Sequence, residues 1–300
     1  MASNRIFYAC QSVKLAGNVL TGVQSVGLNT NFAFDQVFQL GQIEIYENLE
    51  GIPDVEISIE RVLDGNTGNM YSMYGSSLAS IAAARQTAEI SVYDDSFQPA
   101  GGGSIGVAGS STAAVKCTGL YLSNYSVNFN LEGPSTESIT LVGNAKDWST
   151  PITHSMTVDT DGPVVQRKDI TVSSAPAGNN FQSCSFSIDF GREDLLALGS
   201  KVPYFRAASF PVEATAEFVY NATDSTVTDS LVFTDGTSTD VTTEETYTVS
   251  ANAGGLKTHT FSIPDARVTG IQFGGGDAGG GNATVTYNVV AYNSFTASST

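Results

Sequence analysis

The side chains that could perform catalysis are few and far apart in this sequence. His154 and His259 are the only histidines, and neither stands near a Gly-x-Ser-x-Gly motif, the turn that presents a nucleophilic serine. A Ser-His-Asp arrangement is assembled in space, so spacing alone does not decide the matter. The pattern nevertheless favours two ordinary strand or loop histidines. We therefore predict no catalytic residues and a protein that is not an enzyme.

Metal-binding and disulfide patterns are equally weak. Cys10, Cys117 and Cys184 are odd in number and widely separated. A disulfide framework needs an even and dense set of cysteines, and a structural zinc site needs closely spaced pairs, so we predict buried free thiols. Residues 159–162 read Asp-Thr-Asp-Gly, the start of a calcium loop, but the later acidic ligand is missing. We predict neither a bound metal nor a cofactor.

Charge and hydropathy exclude several classes of protein. Lys and Arg number 13 and Asp and Glu 30, which gives a net charge of −17, whereas proteins that wrap nucleic acid present a basic surface. No apolar run approaches the roughly 20 residues that cross a bilayer. The N-terminus lacks the charged and apolar regions of a secretory signal, so we expect synthesis and residence in the cytoplasm until cell lysis. With only 14% charged residues, the surface must consist largely of Ser, Thr, Asn and Gly.

Alternation of apolar and polar residues dominates the chain. It is clearest at residues 55–60, 125–131, 184–190, 212–218 and 284–289. A segment of this kind is a strand with one apolar and one polar face, and half-solvated strands belong to antiparallel sheets. The sequence therefore predicts an all-β fold, an antiparallel β-sandwich or partial barrel with one or two short helices.

Two segments have helical patterns. The first comprises residues 77–85, with Ser76 or Ser77 as the N-cap. Residues 192–198 have acids in the first turn and Gly199 at the C′ position. For this second helix we predict that its leucines pack against a sheet or a neighbouring subunit; they are Leu195, Leu196 and Leu198.

We predict a single domain that spans residues 1–300. Within it, a Gly/Ser/Thr-rich stretch at about 97–114 is typical of a loop. The stretch at about 221–256 is acidic and Thr-rich, and we interpret it as a β-hairpin excursion in which residues 231–233 pair with residues 247–249.

Four segments of the chain are similar to the tail tube (major tail) proteins of tailed bacteriophages. They are residues 32–65 (FAFDQVFQLGQIEIYENLEGIPDVEISIERVLDG), 91–96 (SVYDDS), 186–218 (FSIDFGREDLLALGSKVPYFRAASFPVEATAEF) and 259–293 (HTFSIPDARVTGIQFGGGDAGGGNATVTYNVVAYN). They occur in the expected order and cover a little over a third of the chain. The shared patterns belong to a scaffold and include no catalytic fingerprint.

The resemblance implies a structural protein of the virion tail, assembled in the host cytoplasm. Copies of such a chain join sheet edges into hexameric rings, and the rings stack helically into a hollow tube through which phage DNA is delivered. Its partners would be further copies of itself and the tail sheath, tape-measure, baseplate and terminator proteins. DNA would pass through the lumen without specific binding.

The net charge fits such a conduit, because an acidic lumen repels phosphates and lets a duplex slide. We expect the lumen acids to come from the polar faces of the core strands. The candidates are Glu44, Glu56, Glu60, Glu213 and Glu217.

Other functions remain open on the sequence alone. The chain could be another virion component, such as a baseplate hub, a tail terminator or a capsid decoration protein. Its acidic, Thr-rich β composition also fits a carbohydrate-binding or adhesin β-sandwich. A β-sandwich hydrolase is the third alternative. Glycoside hydrolysis uses a pair of carboxylates, and the 30 acids of this sequence could contain such a pair.

Overall fold

Strands account for nearly all of the regular structure in the computed structural model of the chain. The structure describes residues 11–75, 77–92, 106–110, 113–149, 153–157, 162–173, 180–222, 244–254, 257–275 and 281–300. The elements in chain order are β1 (Gln11–Leu15), β2 (Asn18–Val19), β3 (Val23–Phe38), β4 (Ile45–Val62), α1 (Leu78–Ala83), β5 (Gln86–Val92), β6 (Gly106–Ser110), β7 (Ala113–Asn130), β8 (Thr136–Gly143), β9 (Ala145–Ser149), β10 (Thr153–Thr157), a 3-10 helix (Arg167–Asp169), β11 (Ile170–Ser173), β12 (Phe181–Asp189), β13 (Arg192–Leu195), β14 (Phe205–Ala208), β15 (Glu213–Asn221), β16 (Glu245–Ala251), β17 (His259–Gly274), β18 (Thr284–Tyr292) and β19 (Thr296–Ser299).

The main sheet is antiparallel and runs in the order β3-β4-β8-β7-β12-β15-β18-β17. One row across it is Ile59–Ile139–Tyr125–Ile188–Ala214–Ala291, and every member of that row is buried. The neighbouring positions on each strand face the other side, as alternation requires. The predicted all-β antiparallel fold is confirmed, and the described sheets do not close into a barrel.

A second layer covers the apolar face of the main sheet. Strand β7 bends near Gly119, whose φ of 69° is in the left-handed region that favours glycine, and its first half joins β5, β1, β2 and β9. Strands β11, β16, β19 and the first half of β17 form the rest of the layer. Phe261 of this layer packs against Phe129 and Phe186 of the main sheet, with ring centroids 5.6 and 6.4 Å apart. The layers therefore share one apolar core.

The first predicted helix is confirmed as α1. Ser77 is the N-cap and accepts a hydrogen bond from the backbone N–H of Ser80, whose hydroxyl in turn accepts one from the N–H of Ser77. The helix buries Leu78 and Ile81 against the core. Its C-terminal end is held by Arg192, which donates to the carbonyl oxygen of Ala82 at 2.5 Å.

The second predicted helix, at residues 192–198, is wrong. Residues Arg192–Leu195 form β13, which pairs with β14. The guanidinium of Arg192 also donates to the carbonyl oxygen of Leu122 at 2.7 Å and lies 5.1 Å from the ring centre of Tyr121. These contacts hold the first residue of the segment against the body of the protein in an extended conformation, and tertiary contacts of this kind override weak helix propensity.

Within the subunit the three leucines do not pack as predicted, because the segment that carries them is not a helix. Leu195 is half-buried, whereas Leu196 and Leu198 are 59% and 107% exposed in the loop between β13 and β14. Gly199 does adopt a positive φ of 87°, but in a hairpin turn and not at a helix end. Contact of these leucines with a neighbouring subunit stays a prediction.

The predicted excursion at residues 221–256 needs correction, because β16 belongs to the sandwich. Thr248 and Val249 pair with β11 on one side and β17 on the other. No edge is left for residues 231–233, which lie outside the described residues. The predicted loop at 97–114 is likewise too long, since residues 106–110 form β6, paired with β10, and β7 begins at residue 113.

A buried ion pair lies at the centre of the core. Arg61 of β4 and Glu137 of β8 are both fully buried and face each other across the two strands. Glu137 also accepts hydrogen bonds from the hydroxyl of Tyr125 at 2.7 Å and from the backbone N–H of Met70 at 3.0 Å. Arg61 donates to the carbonyl oxygen of Gly68. The pair thus ties the loop after β4 to three strands.

Removing one charge of this pair should strongly destabilise the fold. We expect Glu137→Gln to lower the free energy of unfolding by about 3–5 kcal/mol, because it leaves the Arg61 guanidinium buried without a counter-charge. Urea denaturation measures the change. The control is Glu244→Gln, which breaks an exposed pair with Arg267 and should cost at most about 1 kcal/mol. Equal losses in the two variants would contradict this role.

Candidate functional site

The solvent face of the main sheet is polar and acidic, and we call it the acidic face. Two rows of cross-strand neighbours show its composition: Glu60–Ser138–Ser126–Ser187–Thr215 and Ser58–Thr140–Asn124–Asp189–Glu213. A third row contains Asn128, Ser185 and Glu217. Among the described residues of this face the one cation is Arg267 at the last strand, where it pairs with Glu244 at 2.7 Å. The face therefore has a negative potential.

Four of the five candidate lumen acids lie on the acidic face. Glu56, Glu60, Glu213 and Glu217 are exposed, two on β4 and two on β15. Whether they face a lumen stays a prediction. The prediction that Glu44 lies on the polar face of a core strand is wrong, because Glu44 lies in the turn between β3 and β4, beyond the part of the sheet that β8 covers.

Asp189 is a further acid of this face that was not among the candidates. It lies directly opposite Glu213 and accepts a hydrogen bond from the backbone N–H of Gly191 at 2.8 Å. The alternation of apolar and polar residues at 184–190 could have predicted this position, since it puts Asp189 on the polar side of its strand.

Both ends of the main sheet have an open edge. β4 is the one described neighbour of β3, which extends from Val23 to Phe38. At the other end, residues 267–274 of β17 pair with β18, and no described strand lies on their outer side. Unpaired N–H and C=O groups along an edge can extend a sheet into another chain.

The β3–β4 hairpin continues far beyond the sheet. We call its outer part, residues 32–50, the arm. β8 covers β4 only from Val55 onward, so the strand before it projects by about 30 Å at ~3.3 Å per residue. Every residue of the arm is exposed. Of the nineteen large exposed apolar side chains among the described residues, nine are in it: Phe32, Phe34, Val37, Phe38, Leu40, Ile43, Ile45, Tyr46 and Leu49. An apolar concentration of this size marks an interaction surface.

The base of the arm is fastened to the body of the protein. Arg206 donates to the carboxylate of Asp54 at 2.7 Å, and Asn144 donates to the carbonyl oxygen of Pro53 at 2.7 Å. Lys201 pairs with Glu50, and its hydrogen bond and positive charge lower the pKa of that carboxyl. The arm therefore leaves the body in a defined direction.

The structure brings one serine and one histidine together, and their geometry is that of a structural pair. The Nε2 atom of His259 lies 2.6 Å from the carbonyl oxygen of Asp64, which can only accept, so Nε2 carries the proton. The Nδ1 atom then accepts from the Ser299 hydroxyl, 2.9 Å away. Both lone pairs of Ser299 Oγ are filled by the backbone and side-chain N–H groups of Asn69, at 2.8 and 2.9 Å. A hydroxyl engaged in this way is held for packing, and His259 is fully buried.

The thiols and acids of the described residues show no assembled metal or redox centre. Cys117 and Cys184 are buried and free, as predicted, and burial raises the pKa of Cys117 to about 11, so that it stays protonated. Cys10 lies outside the described residues, as do the first residues of the Asp-Thr-Asp-Gly segment. Within the part of the chain that the structure describes, no three His, Cys, Asp or Glu side chains are grouped so as to hold a metal ion. His154 lies on β10.

The burial of His259 predicts a pH dependence of stability. Burial lowers the pKa of His259, while nearby Glu137 and the Asp64 carbonyl raise it by less and Arg61 lowers it further. The unfolded chain binds a proton at the ordinary pKa of about 6.5, and the folded chain does so only at lower pH, so stability falls as pH drops below about 7.

His259→Gln should reduce this loss, since a neutral amide can still donate to Asp64. Urea midpoints measured between pH 7.5 and 5.5, a window above most carboxyl pKa values, report the slope for each protein. The same slope in the variant and the parent would contradict the assignment.

Known proteins offer no direct guide to the role of the acidic face, the open edges or the arm. None of the helices in the described ranges is long and apolar enough to cross a membrane. The sequence matches no protein-family model and no curated protein. We therefore infer the function from the acidic face, the open edges and the arm.

Proposed function

We propose that the protein is a self-assembling subunit of a bacteriophage tail tube. In this proposal its copies join edge to edge into hexameric rings, and the rings stack into a hollow conduit for phage DNA. The resemblance of residues 32–65, 91–96, 186–218 and 259–293 to tail tube proteins motivates it. The all-β sandwich fold is compatible with it.

One observation carries the proposal: among the described strands the main sheet is open at both ends, and its solvent face is acidic. A lone open sheet leaves strand edges that pair with other chains unless something covers them. Joining β3 of one copy to β17 of the next supplies the missing partners on both sides at once. Because the two edges differ, each copy uses one of each, and such head-to-tail contacts generate rings when the rotation closes.

The chemistry of the acidic face suits passage of a duplex. Serine, threonine and asparagine side chains offer few fixed charges, and carboxylates repel phosphates. A face with lysine and arginine would release counterions on contact with DNA and hold it in place. If ring closure turns the acidic face inward, the bore resists binding of its cargo, and the conduit works by shape and repulsion.

The open edge of β3 can be tested with two neighbouring proline substitutions. N–H groups alternate between the two sides of a strand, so one of Asn29 and Thr30 presents its N–H to the open edge and the other to β4. Asn29→Pro and Thr30→Pro should therefore have different effects. The substitution that removes an N–H group facing β4 should lower the melting temperature. The substitution that removes an N–H group at the open edge should leave the melting temperature nearly unchanged but prevent ring formation, since proline cannot donate.

Negative-stain microscopy and analytical ultracentrifugation provide the readout. The wild-type chain and the controls Asn29→Ala and Thr30→Ala, which keep the N–H groups, should form rings or tubes. A wild-type chain that stays monomeric at every concentration, or a stable proline variant that assembles normally, would refute edge-to-edge assembly.

Charge reversal tests the role of the acidic face. Glu217→Lys should leave tube assembly intact and slow DNA ejection from assembled particles, with the delay shrinking as salt rises, because lysines retain phosphates most strongly at low ionic strength. The matched control is Glu193→Lys, which makes the same charge change at an exposed position of β13, a strand that does not belong to the main sheet. Unchanged ejection kinetics in Glu217→Lys particles would contradict the assignment of the acidic face to the lumen.

A further inference from the structure

An open groove lies between the two layers at one end of the sandwich. Its apolar lining comes from Phe129, Leu131, Ile170, Val172 and Phe181, and its volume is about 410 Å³. This volume is in the range of pockets that take up ligands, so several side chains of a partner fit into it. We call this site the groove.

Two basic and two acidic side chains flank the groove; the acids are Asp169 and Glu132, which follows the lining residue Leu131. Arg167 lines it and Lys168 is the next residue, on the 3-10 helix before β11. Both side chains are exposed, and neither forms an ion pair with another described residue. The adjacent Asp169 is engaged with the backbone N–H of Gln166 at 3.0 Å. Two cations are therefore available beside an apolar cleft.

The groove and the arm lie at opposite ends of the same sheet. Val62, at the end of β4, pairs with Thr136, and Thr136 pairs with Asn128, just before Phe129 of the groove. The arm extends from the other end of β4, before Val55. A copy placed end to end with another therefore brings the arm of one toward the groove of the next.

The arm complements the groove in polarity, and its carboxylates can pair with the two cations beside the groove. Leu40 and Ile43 at its turn are fully exposed, at 102% and 103%. The sequence has no lysine or arginine between Lys14 and Arg61. Glu50 and Asp54 are already paired at the base, which leaves Asp35, Glu44 and Glu47 free for a partner; these three form no ion pair with any described residue.

We propose that the arm of one copy docks into the groove of the next copy. Leu40 and Ile43 then enter the apolar cleft, and the carboxylates of Glu44 and Glu47 meet Arg167 and Lys168. The inference rests on the proposed function, because it assigns the contact that stacks one ring on another. The two surfaces differ and lie at opposite ends, so the contact repeats without closing and produces an open stack.

A charge-swap experiment on the full chain tests the pairing. Arm variant Glu44→Lys/Glu47→Lys and groove variant Arg167→Glu/Lys168→Glu should each raise the critical concentration for tube growth by about tenfold, because they bring like charges together. Rings should persist in both variants. Combining the four substitutions in one chain should restore tubes, since opposite charges meet again in the reversed sense.

A second arm variant, Leu40→Ser/Ile43→Ser, tests the apolar part of the contact without any change of charge. Both side chains are fully exposed, so the melting temperature of the free chain should not change, whereas tube growth should weaken. The control Glu193→Lys adds the same kind of charge outside the arm and the groove and should form tubes normally. Tube length by negative-stain microscopy and pelleting by sedimentation give the measurements.

Each remaining outcome overturns the pairing in a recognisable way. Tubes of normal stability in the arm variants would remove the arm from the stacking contact. Loss of tubes in the arm variants but not in the groove variants, or no rescue in the four-fold variant, would place the arm on a different surface. Loss of rings together with tubes would put the arm inside the ring. A wild-type chain without rings or tubes would refute the proposed function itself.

Discussion

Backbone hydrogen bonding along the edges of one sheet is the constraint on which the rest of this structure depends. Each N–H and C=O group of an edge strand needs water or a partner chain, and the described main sheet has such a strand at each end. The second layer buries the apolar face but covers neither outer edge, so the core is complete while the sheet is not. A chain that finishes its core alone and leaves its edges open is suited to assembly, because folding and association can proceed independently.

The polar side chains that lie buried in the described core pair with one another and hold the fold together. Arg61 and Glu137 need each other because a lone buried charge is costly, and the hydroxyl of Tyr125 further satisfies the carboxylate. His259 and Ser299 are also satisfied by hydrogen bonds. Ser299 of the last strand bonds to His259 and to Asn69, and His259 bonds to Asp64, so these contacts fasten the last strand to the loop after β4. Each of these residues is already engaged by neighbours at hydrogen-bonding distance, so their proximity reflects satisfied burial.

The sequence predicted the strands well, and it failed where distant contacts decide the conformation. Alternation of apolar and polar residues identified the strands of the main sheet, because one face of the sheet is buried and the other is exposed to solvent. Ser77 could be predicted as a helix cap because capping depends on neighbouring residues only. The segment at 192–198 looked helical because its acids and Gly199 fit a helix in isolation, yet Arg192 is held by Ala82 and Leu122, which are 110 and 70 positions away. The polar face was predictable residue by residue. The arm was not, since exposed phenylalanine and leucine look like core residues until the extent of β8 is known.

The distribution of acids across the sheet reconciles a repulsive bore with a stable ring. Glu60 of β4 and Glu217 of β15 are four strand spacings apart, about 19 Å at ~4.8 Å per spacing, which exceeds the ~8 Å screening length at physiological salt. In the proposed ring, β4 of one copy and β15 of the next are again four spacings apart, across β3, β17 and β18. The glutamates of β4 and β15 would then form evenly spaced columns around the bore, with Asp189 next to Glu213 of the β15 column, and the junction between two copies would lie between columns. In the proposed tube, a duplex would meet these columns from all sides at once, and its phosphates would be repelled toward the axis.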